Sequence, residues 1–93
     1  MKKTAVITGG SRGIGRSMVL SFAQKGYNVV FCYEKNENAA LETEKEARKL
    51  GAEAYAFKAD VSKSYEVEKL FAFAEEKFSG ADVLICNAGI GRR

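Results

Sequence analysis

Four short apolar segments recur along the chain at nearly regular intervals, and this spacing constrains the fold more than any other feature. They are Thr4–Thr8, Val29–Tyr33, Ala54–Lys58 and Asp82–Cys86, so their first residues are 25, 25 and 28 positions apart. Each segment is rich in β-branched or aromatic residues and is mostly continuous rather than alternating. That pattern is typical of strands covered on both faces, and the intervals leave room for one helix between consecutive strands.

Each interval also carries apolar residues at helical spacing, which predicts three amphipathic helices. The three stripes are Ile14, Met18 and Phe22; then Ala40, Ala47 and Leu50; then Val67, Leu70, Phe71, Ala74 and Phe78. A glycine follows each stripe, and glycine readily adopts the left-handed conformation that ends a helix; these are Gly26, Gly51 and Gly80. The order βαβαβαβ predicts one α/β domain over residues 1–93, with a Rossmann-type parallel sheet and right-handed crossovers.

Composition argues against several classes of protein. The net charge of +3, from 15 basic and 12 acidic residues, is too balanced to indicate nucleic-acid binding. The chain has no histidine, and its two cysteines lack the spacing of a zinc site, so no metal site is predicted. The apolar run Ala5–Ile7 is too short for a signal peptide, and no segment approaches a membrane span of about 20 residues. We therefore expect a cytoplasmic protein with no membrane partner.

The stretch TGGSRGIG, residues 8–15, lies between the first predicted strand and the first predicted helix. A glycine-rich turn there exposes backbone N–H groups at a helix N-terminus, where the helix dipole favours a phosphate. A P-loop would require lysine and then a hydroxyl residue after its last glycine, whereas Arg16 follows Gly15 here. The stretch therefore predicts a nucleotide-phosphate site of another type, with a merely tight turn as the alternative.

Three motifs, taken together, resemble the short-chain dehydrogenase/reductase family. The first is Thr8-Gly9-x3-Gly13-x-Gly15, the second is Asp60-Val61, and the third is Asn87-Ala88-Gly89. They fall in the family's order, at the ends of predicted strands one, three and four. The sequence departs from the family at Cys86, where members carry another asparagine that braces the sheet. Within the family, the chain is most like the 3-oxoacyl-(acyl carrier protein) reductases.

The resemblance implies a nicotinamide dinucleotide as the cofactor. The residues expected to bind it are Thr8, Gly9, Ser11, Arg12, Gly13, Ile14, Gly15, Tyr33, Asp60, Val61, Asn87, Ala88 and Gly89. NAD-binding members carry an aspartate where this chain has Tyr33, and Arg12 matches the basic residue that binds the 2′-phosphate of NADP. We therefore predict NADP rather than NAD. Glu34 would repel that phosphate if it pointed inward and would be harmless if it pointed into solvent.

The family's catalytic residues have no counterpart in this chain. Members transfer hydride between the nicotinamide and a carbonyl or alcohol, using a serine and a Tyr-x3-Lys pair that lie well beyond the Asn-Ala-Gly motif. Only four residues follow Gly89 here. Tyr65 and Lys69 do have the Tyr-x3-Lys spacing, but they precede that motif on the third predicted helix. We expect them to form a solvated helix face, and we expect a carbonyl substrate only in a longer form.

Relative to the family, the predicted fold is incomplete. The doubly wound strand order would be 3-2-1-4, with the fourth strand at an unpaired edge. An apolar edge strand predicts self-association through that strand. The same order separates Cys32 from Cys86 by two strand spacings, or roughly 9.6 Å, which is too far for a disulfide. One alternative stays open, a non-catalytic dinucleotide-binding module or truncated gene product. A methyltransferase with a different glycine loop is disfavoured, because it too would carry an acidic residue at position 33.

Overall fold

A computed structural model of the chain describes residues 2–8 and 13–86, except the side chains of Ile14 and Cys86. Its elements are β1 (Thr4–Thr8), α1 (Gly13–Gln24), β2 (Asn28–Tyr33), α2 (Glu37–Lys49), β3 (Ala54–Lys58), α3 (Ser64–Phe78) and β4 (Val83–Cys86). This order confirms the predicted βαβαβαβ alternation. Two strand starts differ by one residue from the prediction, since β2 begins at Asn28 and β4 at Val83.

The four strands form one parallel sheet in the order β3-β2-β1-β4, which confirms the predicted strand order. In this register Thr8 lies beside Cys86, and Tyr33 lies beside Lys58. Because all four strands run the same way, their carboxyl ends meet at one edge of the sheet. The described strand-end residues Thr8, Tyr33 and Asp60 therefore belong to that edge.

Side chains of the two central strands, β1 and β2, point alternately to opposite faces of the sheet, so the core has two layers. Ile7, Val29 and Phe31 pack on the face covered by α1 and α2. Val6 and Val30 point the other way and pack with Leu70 of α3. All of these side chains are fully buried, as sequence continuity in β1 and β2 predicted. Helices on both faces of a parallel sheet make this a doubly wound α/β fold.

The buried face of α1 is rotated slightly from the predicted stripe. Val19 and Ala23 are buried, whereas Met18 and Phe22 are only half-buried. Gly15 is buried on the same line, four residues before Val19. Small side chains at these positions allow the helix backbone to approach the sheet closely, and the larger residues then fill the flanks of the contact.

Two residues assigned to buried stripes are exposed, and for them the prediction was wrong. Leu50 is 45% exposed because it caps α2 after the last helical residue, where the chain turns through Gly51. Thr43 is buried within α2 instead, and its hydroxyl donates to the Ala39 carbonyl oxygen at 2.9 Å. Phe71 is 36% exposed because it lies about 100° around α3 from the buried Leu70.

Gly26 and Gly51 follow α1 and α2 with φ of 89° and 98°, as predicted. The prediction was wrong for α3, which ends at Ser79 in the left-handed conformation (φ 65°, ψ 31°), and Gly80, with φ of 121°, comes one residue later.

The expectation that all strands are covered on both faces holds for β1 and β2 but not for the edges. Leu84 of β4 is 48% exposed, since it lies on an edge strand. Cys32 is a buried thiol as expected, while the Cys86 side chain is outside the described part of the chain.

Candidate functional site

The candidate site lies along the carboxyl edge of the sheet, at the boundary between β1 and β4. From β1 the chain passes through α1 to β2 on one side, while β4 lies on the other side. In open α/β sheets, ligands bind in the crevice outside such a topological switch point. The Thr8 hydroxyl donates to the Ile85 carbonyl oxygen at 3.4 Å and ties the two strand ends together there.

Gly13 forms the entrance to α1 at this edge. Its φ is +63°, a left-handed conformation that side chains other than glycine rarely adopt. A Cβ placed there would meet no heavy atom within 4 Å, so the need for glycine is conformational rather than steric. The first turn of α1 contains no acidic residue. The backbone N–H groups of this first turn have no partner within the helix and therefore offer an anion site at the switch point.

Tyr33 ends β2 at the same edge. Its ring is half-buried and packs against the core on the α1 and α2 side. Burial raises the pKa of the Tyr33 phenol, and the carboxylates of Glu37 and Glu44 raise it further. The hydroxyl is therefore protonated at neutral pH and can donate a hydrogen bond. No carboxylate stands at the end of β2 itself, and Glu34 is exposed to solvent.

Asp60 follows β3 and is held in a tight turn. One of its carboxylate oxygens accepts hydrogen bonds from the Ser62 hydroxyl at 2.7 Å and the Ser62 backbone N–H at 3.0 Å. These bonds lower the pKa of the Asp60 carboxyl, with smaller contributions from Lys63 and Lys35. The Asp60 backbone N–H donates to Glu66 at 2.7 Å. An ionised, oriented acceptor thus lies at the carboxyl end of β3, next to half-buried Val61.

Sequence reasoning missed Ser62 and Glu66, the residues that position Asp60. Ser62 stands two residues after Asp60, which is the spacing of a side-chain turn of the Asx type. Glu66 is the third residue of α3, and it accepts from the Asp60 N–H, three residues before the N-cap Lys63. A capping box would instead join such a glutamate to the N-cap itself. Only the Ser62 signal is therefore present in the sequence, and the Glu66 contact depends on how the chain between β3 and α3 folds.

The structure brings together only some of the predicted cofactor-binding residues. Thr8, Gly13, Gly15, Tyr33, Asp60 and Val61 line one edge of the sheet, and the backbone of Ile14 belongs to α1. Gly9, Ser11, Arg12, Asn87, Ala88 and Gly89 lie outside the described residues. Within residues 2–8 and 13–86, no cluster of potential metal ligands occurs. No helix in these ranges is long and apolar enough to cross a membrane.

The Tyr-x3-Lys pair of α3 forms an exposed helix face, as predicted. Tyr65 is 54% exposed, and the Lys69 ammonium lies 5.7 Å from the centre of its ring. The lysine therefore contacts the aromatic face, an arrangement that stabilises the cation rather than activating the hydroxyl. The described residues at the carboxyl edge are suited to binding a phosphate, a hydroxyl and an amino group. Tyr65 and Lys69 are not among these residues.

Sequence comparison agrees with this geometry. The family model for short chain dehydrogenase matches residues 3–93. A diacetyl reductase, (S)-acetoin forming, from Staphylococcus epidermidis is 46% identical over 90 residues, covering 97% of this chain and 35% of its own length. A 3-oxoacyl-(acyl carrier protein) reductase FabG from the same species is 41% identical over 90 residues, with 97% and 37% covered. The chain thus spans about a third of the length of these relatives.

Solved structures share the fold. A short-chain dehydrogenase/reductase variant from Serratia marcescens superposes with a TM-score of 0.91 at 32% identity, covering 95% of this chain and 36% of its own. An NADH-dependent reductase complexed with NAD gives 0.86 at 32% identity, with 95% and 36% covered. An actinorhodin polyketide ketoreductase variant with NADPH gives 0.87 at 34%, with 95% and 33% covered. Together with the carboxyl-edge geometry, these matches show that the chain belongs to the short-chain dehydrogenase/reductase family.

Proposed function

We propose that this chain is the dinucleotide-binding part of an NADP-dependent reductase that transfers hydride to a carbonyl. The observation that carries the proposal is the switch point, where Gly13 enters α1 in the left-handed conformation beside the tied ends of β1 and β4. That position exposes helix N-terminal N–H groups to a ligand in the crevice. The family match is consistent with this assignment.

The residues at the edge suit the parts of a dinucleotide. The left-handed Gly13 and the first-turn N–H groups of α1 fit the pyrophosphate. Asp60 is an ionised acceptor and fits the amino group of adenine, while Val61 supplies an apolar neighbour for the base. Tyr33 fits the adenosine ribose as a neutral hydrogen-bond donor. When bound, the nicotinamide supplies the hydride.

The preference for NADP rests on the residues around the ribose. An acidic side chain at the end of β2 would bind the ribose diol and repel a 2′-phosphate, and Tyr33 carries no such charge. Arg12 supplies a cation in the glycine loop. Solved relatives include complexes with NAD and with NADPH, so family membership alone leaves both cofactors open.

The substrate assignment rests on analogy with relatives whose names specify 3-oxoacyl-(acyl carrier protein) and diacetyl reduction. In this proposal the carbonyl is reduced only in a form that also carries the serine and Tyr-x3-Lys group. The alternative is a module that binds the dinucleotide without catalysis.

Binding at the switch point is tested by calorimetric titration of the chain with NADPH and NADH. Gly13→Ala places a Cβ in the left-handed conformation, which costs about 1–2 kcal/mol. We expect the free variant to relax out of that conformation, so that restoring it on binding lowers the affinity about 5- to 30-fold. Gly26→Ala is the matched control. Its φ is +89° and the space around it is equally open, but it precedes β2 at the opposite edge of the sheet.

We expect Gly26→Ala to lower stability without changing dinucleotide affinity. Equal losses of affinity in both variants would show that strain acts through stability and would remove the evidence for a site at Gly13. The absence of binding by either dinucleotide at millimolar concentration would contradict the proposed function as a whole.

Two further parts of the proposal concern association and location. We propose that the chain associates through β4, because this edge strand exposes an apolar side chain, Leu84, to 48%. We also keep the cytoplasmic location as a prediction from the sequence, to be tested by cell fractionation.

A further inference from the structure

The outer edge of β3 is occupied by side chains of α2. The Ala56 backbone N–H donates to Oε2 of Glu44 at 2.8 Å. Nε of Arg48 donates to the Ala54 carbonyl oxygen at 2.9 Å. One donor and one acceptor of the strand, two residues apart, are thus bound by two side chains one helical turn apart.

The direction of these two backbone groups follows from the pairing of β3 with β2. The Glu53 carbonyl accepts from Val29 and the Ala59 N–H donates to Tyr33, each at 2.9 Å. Because backbone groups alternate in direction along a strand, odd-numbered residues of this segment face β2. Ala54 and Ala56 therefore direct their N–H and C=O groups away from the sheet, where a further strand would pair.

The two side chains also support one another. An Arg48 guanidinium nitrogen lies 3.6 Å from the same Glu44 oxygen that accepts from Ala56. The Glu44 side chain is only 18% exposed, so this carboxylate is screened less than one on the surface. Arg48 also lies over the ring of Tyr55, 5.2 Å from its centre, and the Lys77 ammonium is 5.4 Å from the same centre.

We infer that Glu44 and Arg48 form a clasp that closes β3 to strand addition, so that pairing with another strand is confined to β4. A strand arriving at β3 would need the Ala56 N–H and the Ala54 carbonyl for its own ladder. It would have to break two charge-assisted hydrogen bonds and leave the mostly buried Glu44 carboxylate without its backbone donor, which is unfavourable. Closure of β3 does not depend on the proposed function, whereas pairing at β4 rests on the association proposed above.

Amide exchange measured by NMR tests the clasp directly. In Glu44→Ala we expect the Ala56 amide to exchange about 10- to 100-fold faster, as loss of a hydrogen bond to a charged group implies. Glu42→Ala, on the exposed face of the same helix, removes the same charge and should leave Ala56 unchanged. Exchange at Val30, in the buried strand β2, reports whether each variant keeps its fold. Glu44→Gln retains an acceptor and should give an intermediate rate.

To test whether Glu44 and Arg48 close β3, we would measure the association of variants that also carry Leu84→Lys, which places a charge on β4. We expect Glu44→Ala combined with Arg48→Ala to associate at concentrations where that background is monomeric, with new concentration-dependent protection at residues 54–58. The control pair is Glu42→Ala with Lys45→Ala, which should stay monomeric. An unchanged Ala56 exchange rate in folded Glu44→Ala overturns the clasp. If the double variant stays monomeric, or if the new protection appears outside β3, then Glu44 and Arg48 do not close β3.

Discussion

The Asp60 carboxylate and Ser62 are joined by two hydrogen bonds to a single oxygen, one from the Ser62 hydroxyl at 2.7 Å and one from its N–H at 3.0 Å. This turn fixes the direction of an ionised group at the carboxyl end of β3. The sequence motif Asp60-Val61 predicts where the group lies, and the hydrogen bonds from Ser62 orient it and lower its pKa. The candidate contact with adenine therefore depends on Asp60 and on Ser62, which holds its carboxylate.

We expect Ser62→Ala to raise the pKa of Asp60 towards its ordinary value, because the hydroxyl bond is the largest cause of the lowered pKa. The bonds favour the charged form. Their stabilisation is therefore present above the ordinary carboxyl pKa and is lost as the pH falls through the lowered one. Carboxyl ¹³C NMR titration measures the change, with Ser64→Ala as control. An unchanged Asp60 titration in Ser62→Ala would contradict this account.

We expect Arg12→Ala to weaken NADPH binding about 10- to 100-fold and leave NADH binding nearly unchanged, since a charge-assisted contact to the 2′-phosphate is lost. Arg16→Ala removes the same charge nearby and serves as control, because Arg16 pairs with Glu46 at 3.1 Å. Tyr33→Asp should shift the preference towards NADH. Calorimetric titration compares the variants. Equal losses for both cofactors in Arg12→Ala would assign that residue to the pyrophosphate or the loop instead.

We expect the 93-residue chain to show no carbonyl reduction with NADPH. A positioned general acid contributes about 10²–10⁴-fold to such a rate, and Tyr65 lies on an exposed face of α3. Absorbance of NADPH measures turnover with a diketone as substrate. Tyr65→Phe should behave like the parent chain. Turnover that disappears in Tyr65→Phe would show that this tyrosine is catalytic after all.

We expect the chain to self-associate at micromolar concentration and Leu84→Lys to weaken that association. Leu84 is 48% exposed on an edge strand, so the added charge opposes pairing without disturbing the core. Leu41→Lys is closely matched, because Leu41 on α2 is 47% exposed, and it should have no such effect. Light scattering over a dilution series measures both. A parent chain that stays monomeric would exclude association through β4.

We expect Leu70→Ala to lower the free energy of unfolding by about 2–5 kcal/mol, because Leu70 is fully buried between α3 and the sheet. Its neighbour Phe71 is 36% exposed, and Phe71→Ala should cost clearly less. Urea unfolding of the two variants gives the comparison. Similar losses would show that α3 buries Phe71 in solution and that its contact face differs from the one described.

The order and direction of the elements could be predicted from the sequence because they depend on local chemistry. Four segments rich in β-branched or aromatic residues, separated by helical stripes, require parallel strands with crossovers. Gly26 and Gly51 end α1 and α2 through their own conformational freedom. The same reasoning placed Thr8, Tyr33 and Asp60 at one edge, since parallel strands bring their carboxyl ends together.

Tertiary structure decided which side chains are buried and what the strand ends can bind. Periodicity identifies an apolar stripe but not its centre, so in α1 Val19 and Ala23 rather than Met18 and Phe22 are fully buried. Leu50 and Phe71 are exposed because burial depends on the neighbouring elements, which no local pattern contains. The Glu44 contact with Ala56 likewise joins residues of two elements. Such contacts arise only when strand order and helix placement bring distant parts of the chain together.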